Sequence, residues 1–349
     1  MEGFDGAVVL VVGGAGFVGS NLVEKLLSGS VKRIHIVDNL LSAERTNVAD
    51  DERVVYSEAS ITDDKTISDL KDEYDYVFHL ATYHGNQSSI HDPLADHANN
   101  TFTTLRLFER IKHFSRLKKV VYSSAGCSVS KKTFDKAEAT VEEDIVSLHQ
   151  DSPYSMSKIF GEFYCVYYEK QHKLPTVRAR FQNVFGPREI LGAGKWRGTP
   201  ATVWRNVTPT FIYRAIKKLP LIVENNGIAT RDFIYVDDIV DGLVRCAAFG
   251  KPGQAYNLAT GLETSIGDLA AAINTLINNS TPIVNVPKRE WDNSGKRFGS
   301  TEKSAHEIGF KASTAFKDGL YKTVKWTQKN LGMIESVMEK HRSQVELPF

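Results

Sequence analysis

Three cysteines in 349 residues are too few, and lie too far apart, to staple a fold. Cys127, Cys165 and Cys246 show no CxxC spacing, which argues against a disulfide framework and against a thiolate metal site; a reducing cytoplasm is the compartment that fits. Excess charge of one sign is also missing. With 43 Lys+Arg against 42 Asp+Glu, nothing suggests the broad basic face that nucleic acid or an anionic membrane would select. Long apolar runs are absent too. The opening MEGFDGAVVLVVGG has no basic leader region or cleavage site, and its apolar run is short and broken by glycine, so neither a secretory leader nor a membrane span is expected. No repeat or low-complexity tract interrupts the chain, which is long enough for one large or two modest domains with real cores.

What the sequence does have begins at residue 8. VVLVVGGAGFVGSNLVEKLL runs from a continuous β-branched stretch, Val8 to Val12, through a glycine turn into apolar residues at helical spacing from Ser20 to Leu27. Strand, glycine turn and helix in that order give the spacing of Gly13, Gly16 and Gly19 its weight. The first glycine permits the tight turn, the second lets backbone approach a pyrophosphate, and the third lets the helix pack closely, with Phe17 and Val18 at the helix opening that faces the anion. The plain alternative is a glycine-rich turn with no ligand. A second element argues against it: Asp38 ends the next strand in IHIVDNL, followed by Asn39, where a carboxylate accepts hydrogen bonds from a ribose diol and repels a 2′-phosphate. NAD is therefore expected rather than NADP.

Strands at Arg33 to Val37, Asp75 to Leu80 and Lys118 to Tyr122, with a helix at Thr101 to His113, continue the alternation. That pattern predicts an α/β protein with a Rossmann-type doubly wound parallel sheet. From Gly186 the texture changes to GPREILGAGKWRGTPATVWRNVTP, too long for an ordinary connection. We therefore expect a cofactor domain over 1–185, rejoined by 233–260, and a smaller mixed substrate domain from 186–232 and 261–349.

SPYSMSKIFGE places Tyr154 and Lys158 four apart, on one face of a helix. A tyrosine titrating near 10 is a poor base, but an adjacent ammonium and the positive ring of oxidised nicotinamide both favour tyrosinate. A surface tyrosine beside a solvated lysine is the alternative, and the preceding dinucleotide pattern weighs against it. In VVYSSAGCSVS, Ser124 is the first choice for a hydroxyl sharing the proton with Tyr154; Ser123, Ser128 and Cys127 remain open.

At this point the chain resembles the extended short-chain dehydrogenases, specifically the nucleotide-sugar epimerase/dehydratase family. GGAGFVG, Asp38, HLAT at 79–82, NNTFTTLRL from Asn99, YSS at 122–124, YSMSK, RFQNVFGP from Arg180, RDFIYVDDI from Arg231 and YNLATG from Tyr256 follow family order over nearly the whole chain. HGNQSSIHDPLADH and KWRGTPATVWRN are most similar to the branch of WbmF-type O-antigen epimerases. The resemblance implies that Leu80, Ala81 and Thr82 line NAD, that Ser60 and Ile61 meet its adenine, and that Asn100 belongs to the cofactor site and supports the catalytic strand. It further implies that Asn183 and Arg231 contact the substrate diphosphate, with Arg289 or Arg297 clamping it; an arginine fork suits phosphate oxygens. A surface ion pair with Asp232 is the alternative for Arg231. A homodimer through the helices carrying Thr101 to His113 and Tyr154 to Gln171 is implied too, with Phe160, Phe163 and Tyr164 at the contact or in the core.

Departures from the family bear on the reaction. Val12 replaces a common threonine, Gln182 stands where a phenylalanine often flanks the nicotinamide, and Ala125 takes the usual Ser/Thr position in a gapless comparison. Where a 4,6-dehydratase carries an Asp-Glu pair, Ala125 and Gly126 cannot transfer protons. That leaves epimerisation through a 4-keto intermediate, and the resemblance implies a UDP-sugar substrate and a place in O-antigen precursor synthesis. A 3,5-epimerase using Cys127, a 4,6-dehydratase and a non-catalytic redox sensor are the alternatives. Lys195, Arg197 and Arg205 either meet a sugar carboxylate or are simply solvated.

Overall fold

Five apolar residues in succession, Val8–Val12, form strand β1, and all five are buried. Val9 and Val11 pack with Leu22 and Leu26 of helix α1 (Phe17–Leu27), while Leu10 and Val12 share a second cluster with Leu107, Phe108 and Ile111 from the opposite layer. A strand covered on both faces needs no polar alternation, which is why the sequence reads as one apolar run. The computed structural model describes residues 3–130, 133–293 and 295–345.

Around β1 lie β2 (Arg33–Asp38), β3 (Val54–Glu58), β4 (Tyr76–His79), β5 (Lys119–Ala125), β6 (Thr176–Phe181) and β7 (Ala255–Leu258). They form a seven-stranded parallel sheet in the order β7-β6-β5-β4-β1-β2-β3. The order reverses between β1 and β4, so a crevice opens at the carboxyl ends of these strands, where such sheets bind ligands. The doubly wound α/β sheet is as the sequence predicts.

Helix α2 (Pro153–His172) carries Tyr154 and Lys158. Ser152 caps it by accepting from the Ser155 amide, Pro153 occupies its first turn, and Lys173 ends it in a left-handed conformation. One carboxylate fastens it to the sheet. Glu162 takes the Arg180 guanidinium through both oxygens at 2.8 Å, Arg178 at 3.1 Å, and the Ser124 hydroxyl at 2.5 Å. Burial opposes ionisation of Glu162, but the arginines and Ser124 together hold its carboxyl below the usual range.

Two expectations change. The helix expected at Thr101 begins earlier, running through a π-helical stretch, His97–Phe102, into Thr103–Ile111; the wider turn places Asn100 in the interior. Strand β5 extends to Ala125 because Ser123 and Ser124 pair in register with Ala179 and Arg180 of β6. The long segment after Gly186 is packed. Its Ile190, Leu191, Ala193 and Trp204 form a cluster with Ile334, Val337 and Met338 of the helix Leu331–Glu339. Beyond it, Leu221–Glu224 pairs in parallel with Ile283–Val286, and β7 then brings the chain back to the main sheet. Residues 346–349 of the expected substrate domain lie outside the described residues.

Replacing Arg180 by Met leaves the Glu162 charge buried with half its partners gone. Urea unfolding is expected to register a loss of about 3–5 kcal/mol, with the Glu162→Gln/Arg180→Met double variant recovering part of it. An Arg180→Met protein as stable as wild type would remove this role.

Candidate functional site

The glycine turn leaves no room for side chains. Gly13 has φ +89°, and a Cβ there would sit 2.5 Å from the Ala81 nitrogen; one at Gly19 would sit 2.1 Å from the Gly13 carbonyl oxygen. Gly16 precedes α1 at its amino end. This tight packing brings the helix opening against the ends of β1 and β4, a cradle shaped for a pyrophosphate. Asp38 lies beside it: its carboxylate accepts from the Ala15 amide at 3.0 Å and the Leu40 amide at 2.9 Å. Burial raises the Asp38 pKa, and those amides oppose the shift.

A cavity of about 520 Å³ runs from this cradle across the strand ends. Its wall includes Gly13, Gly16, Phe17, Val18, Gly19, Asp38, Asn39, Ser60, Ile61, Leu80, Ala81 and Thr82 at one end, and Tyr154, Lys158 and Ser124 further along. Asn183, Arg231, Arg289 and Arg297 close the far side. The fold therefore brings the residues expected to bind cofactor and substrate and to move the proton to one continuous cleft, except Asn100; of the alternatives left open, Ser128 and Lys195 are also off its wall. Asn100 is not on the wall; it is 3 % exposed, and its side chain is consumed by Thr82 Oγ1, the Tyr83 amide, Asp96 and Ser157. It acts behind the wall, positioning Thr82 and Tyr83, and the cofactor contact assigned to it is corrected on that ground.

At the centre, Lys158 Nζ donates to the Ser123 carbonyl at 2.9 Å and lies 5.8 Å from the centroid of the Tyr154 ring. Burial lowers the Lys158 pKa to about 8, against the pull of Asp96 and Cys127. Burial pushes the Tyr154 phenol well above its ordinary value, with Cys127 and Asp96 adding and Thr82 opposing. Of the two positive charges expected to favour tyrosinate, the lysine is outweighed here by desolvation. Ser124 is on the wall, but its hydroxyl proton is committed to Glu162, so the structure does not join it to Tyr154. Ser123 donates to the His79 carbonyl. Cys127 is half-buried, lines the cavity, and acts electrostatically on Tyr154, Lys158 and Arg231.

The far side is strongly cationic. Arg231 donates to the carbonyls of Thr230 and Gly295, and burial followed by Arg297 lowers its pKa to about 9. Asp232 is buried and accepts from Thr260, Gly261 and Gly299. Arg289 pairs with Glu224 at 2.7 Å and lies over the Trp291 ring. Among the described residues there is no cluster able to hold a metal ion, and no helix is long and apolar enough to cross a membrane.

Comparison with known proteins gives this cleft its setting. Residues 9–259 match the NAD dependent epimerase/dehydratase family. The chain belongs to that family. It is similar to the Bordetella bronchiseptica enzyme WbmF, whose crystal structure with NADH is 64 % identical, covers 98 % of each chain and superimposes with a TM-score of 0.88. Another WbmF structure, with NAD+ and UDP, is 63 % identical over 98 % of each chain, TM-score 0.88. The UDP-glucose 4-epimerase of Mycolicibacterium smegmatis is 29 % identical over 91 % of this chain and 97 % of its own length. The protein is an NAD-dependent enzyme of the nucleotide-sugar epimerase kind, and the glycine cradle and Asp38 fit that dinucleotide.

Several wall residues escaped sequence reasoning. His84 meets Tyr154 edge-on with ring centroids 5.7 Å apart, and burial lowers its pKa to about 4. Glu189, with its pKa raised by burial to about 7, accepts from Asn206. Neither belongs to a spacing motif; only the folded loop brings them to the cleft.

The Lys158 shift has a measurable sign. Unfolded, the lysine titrates near 10.5; folded, near 8. Between those values the unfolded chain holds one more proton, so stability must rise with pH across that window. Denaturation of wild type against Lys158→Met is expected to show the difference growing in favour of wild type above pH about 8; a parallel pair of curves would contradict it.

Proposed function

We propose that the chain is a UDP-sugar 4-epimerase that works through a 4-keto intermediate and serves O-antigen or related surface-polysaccharide precursor synthesis. The observation that carries this reading is the strand end after Ser124. Ala125 offers no proton, and a Cβ on Gly126 would come within 2.3 Å of the Gln182 side-chain nitrogen, so the space where a dehydratase acid would stand is filled by an amide. At that strand end no proton-transfer group remains, and this reading assigns the acid–base work to Tyr154 and its lysine.

Bound NAD supplies a reversible two-electron acceptor for one sugar C–H bond. Tyr154 Oη takes the proton of the same carbon's hydroxyl and later returns it. Lys158 favours the ionised phenol, and the positive nicotinamide ring supplies the rest of the stabilisation that burial opposes. Arg231, Arg289 and Arg297, with Asn183, hold the substrate diphosphate while the ketose turns over between its two departures. On this reading Ser124 acts through Glu162 to fix the strand, and Thr82, which opposes the rise of the Tyr154 pKa, is itself held by donating its hydroxyl to Asn100 Oδ1.

We further infer that residues 1–185 with 233–260 hold NAD, that 186–232 and 261–349 hold the nucleotide sugar, and that the protein works in the cytoplasm as a homodimer. Met156, Phe160, Phe163 and Tyr167 are exposed at helical spacing on α2, with Phe102 also exposed, and this apolar stripe supports helix-to-helix pairing. Tyr164, by contrast, packs against the core.

Cys127 supports a second reading, inversion at a neighbouring carbon through an enolate, because it stands on the wall beside Tyr154. Turnover of a UDP-sugar panel in deuterated water separates the two. The 4-epimerase reading requires an inverted H4 pattern with no deuterium in the product; deuterium at C3 or C5 assigns the chemistry to the Cys127 route. Tyr154→Phe is expected to lower kcat by about 10²–10⁴-fold with UDP binding retained, and a smaller loss would remove the tyrosine from the proton path.

A further inference from the structure

Arg197 and Arg205 stand in the cavity wall with no carboxylate of their own. Arg197 Nη1 donates to Ser42 Oγ and to the His84 carbonyl, both at 3.1 Å. Arg205 Nη2 donates to the carbonyls of Ser42 at 2.5 Å and Ala193 at 2.6 Å. The Nε of each is buried without a partner, and Arg197 is only 7 % exposed. Burial and the neighbouring Arg205 lower the Arg197 pKa to about 10. Two carboxyls face the pair. Glu44 is engaged by Lys340 and the Gly194 amide, and Glu189, whose ionisation burial opposes, accepts from Asn206 and makes no ion pair with either arginine among the described residues. The pair is therefore left net positive in a buried wall, an arrangement that is costly unless an anion completes it.

The position of the pair says which anion. Ser42 lies four residues beyond Asp38, where the adenosine ribose belongs, and His84 lies two beyond Thr82 with its ring against Tyr154, where the nicotinamide belongs. A dinucleotide spanning those points carries its pyrophosphate between them. The glycine cradle belongs to the end of β1; the two arginines come on a separate segment, tied to the β2 loop by Lys195 N to Leu41 O and Gly194 N to Glu44 Oε1. The three arginines that suit the substrate diphosphate, Arg231, Arg289 and Arg297, come from other elements altogether.

We infer that Arg197 and Arg205 form a second pyrophosphate clamp, closing over NAD from the segment after Gly186 and holding the dinucleotide through turnover. The clamp gives that segment a function its sequence does not announce. It also replaces the sugar-carboxylate expectation for these two residues.

The test reads cofactor binding rather than catalysis. Arg197→Gln/Arg205→Gln protein, stripped of cofactor, is titrated with ADP-ribose and separately with UDP by calorimetry. ADP-ribose affinity is expected to fall by at least about tenfold, the loss of a charge-assisted hydrogen bond or more, while UDP affinity and the preference between UDP-glucuronate and UDP-glucose stay as in wild type. The Lys/Lys variant should recover part of the loss. Unchanged ADP-ribose affinity overturns the inference, as does a selective loss of UDP-glucuronate binding, which would hand the pair to a sugar carboxylate. Should the variant fail to fold, arginine modification of wild type with phenylglyoxal, read by peptide mass spectrometry, decides the matter. ADP-ribose must protect Arg197 and Arg205 where UDP does not; protection by UDP-glucuronate alone contradicts the clamp. Since no sugar is transformed in either experiment, an error in the 4-epimerase reading leaves this test intact.

Discussion

The buried carboxylate of Glu162 is the joint on which the site depends. It gathers Arg180 and Arg178 from β6 and Ser124 from β5 onto α2, one turn beyond Lys158. Arg180 extends the joint by donating to the Glu142 carbonyl, and the Glu142 side chain accepts from the Asn257 amide of β7. Three strands and the helix carrying Tyr154 are thereby held at fixed angles around one charge. Such a network stabilises little in net terms, because desolvation offsets the attraction, but breaking it is expensive. Its value here is geometric: it sets where the Tyr154 hydroxyl stands relative to the cofactor cradle.

Burial shapes the chemistry along the whole cleft. The same desolvation that weakens Lys158 as a cation raises the Tyr154 phenol, so neither residue is poised without a further positive charge. On the proposed reading, bound oxidised nicotinamide would supply that charge, which would tie proton abstraction to the presence of a competent cofactor. Arginines at both ends answer the anionic ligands. One group comes from elements beyond residue 230 and is proposed for the substrate diphosphate; the other, on the packed segment after Gly186, is the one inferred to clamp the dinucleotide. On the proposed reading the hydride returns to the sugar, so the cofactor need not leave, and a doubly clamped NAD would suit that economy of motion.

Much of this was legible in the sequence for physical reasons. Val8–Val12 reads as a doubly buried strand because it is one, and the glycines at 13, 16 and 19 report close approaches that any side chain would block. Asp38, Tyr154 and Lys158 stand at spacings set by strand length and helix pitch. What escaped depends on long-range placement. Ser124 was expected to share a proton with Tyr154, yet strand alternation and the distant Glu162 turn its hydroxyl elsewhere. Asn100 was expected at the cofactor, but a π-helical turn draws it inside. Glu189 and His84 went unremarked, and Arg197 and Arg205 stood open between a sugar carboxylate and solvent; all four meet only when a loop folds back over β2, and no local period encodes that contact.

The central claim, that one carbon is oxidised and reduced again without cofactor or ketose leaving the cleft, is most directly met by a crossover experiment. A UDP-sugar carrying deuterium at C4 and heavy carbon throughout the ring is mixed with unlabelled substrate, and the epimer is analysed by mass spectrometry. The account predicts that deuterium stays with the heavy carbon in the product. Deuterium on light-carbon sugar, or its loss to water, would contradict it.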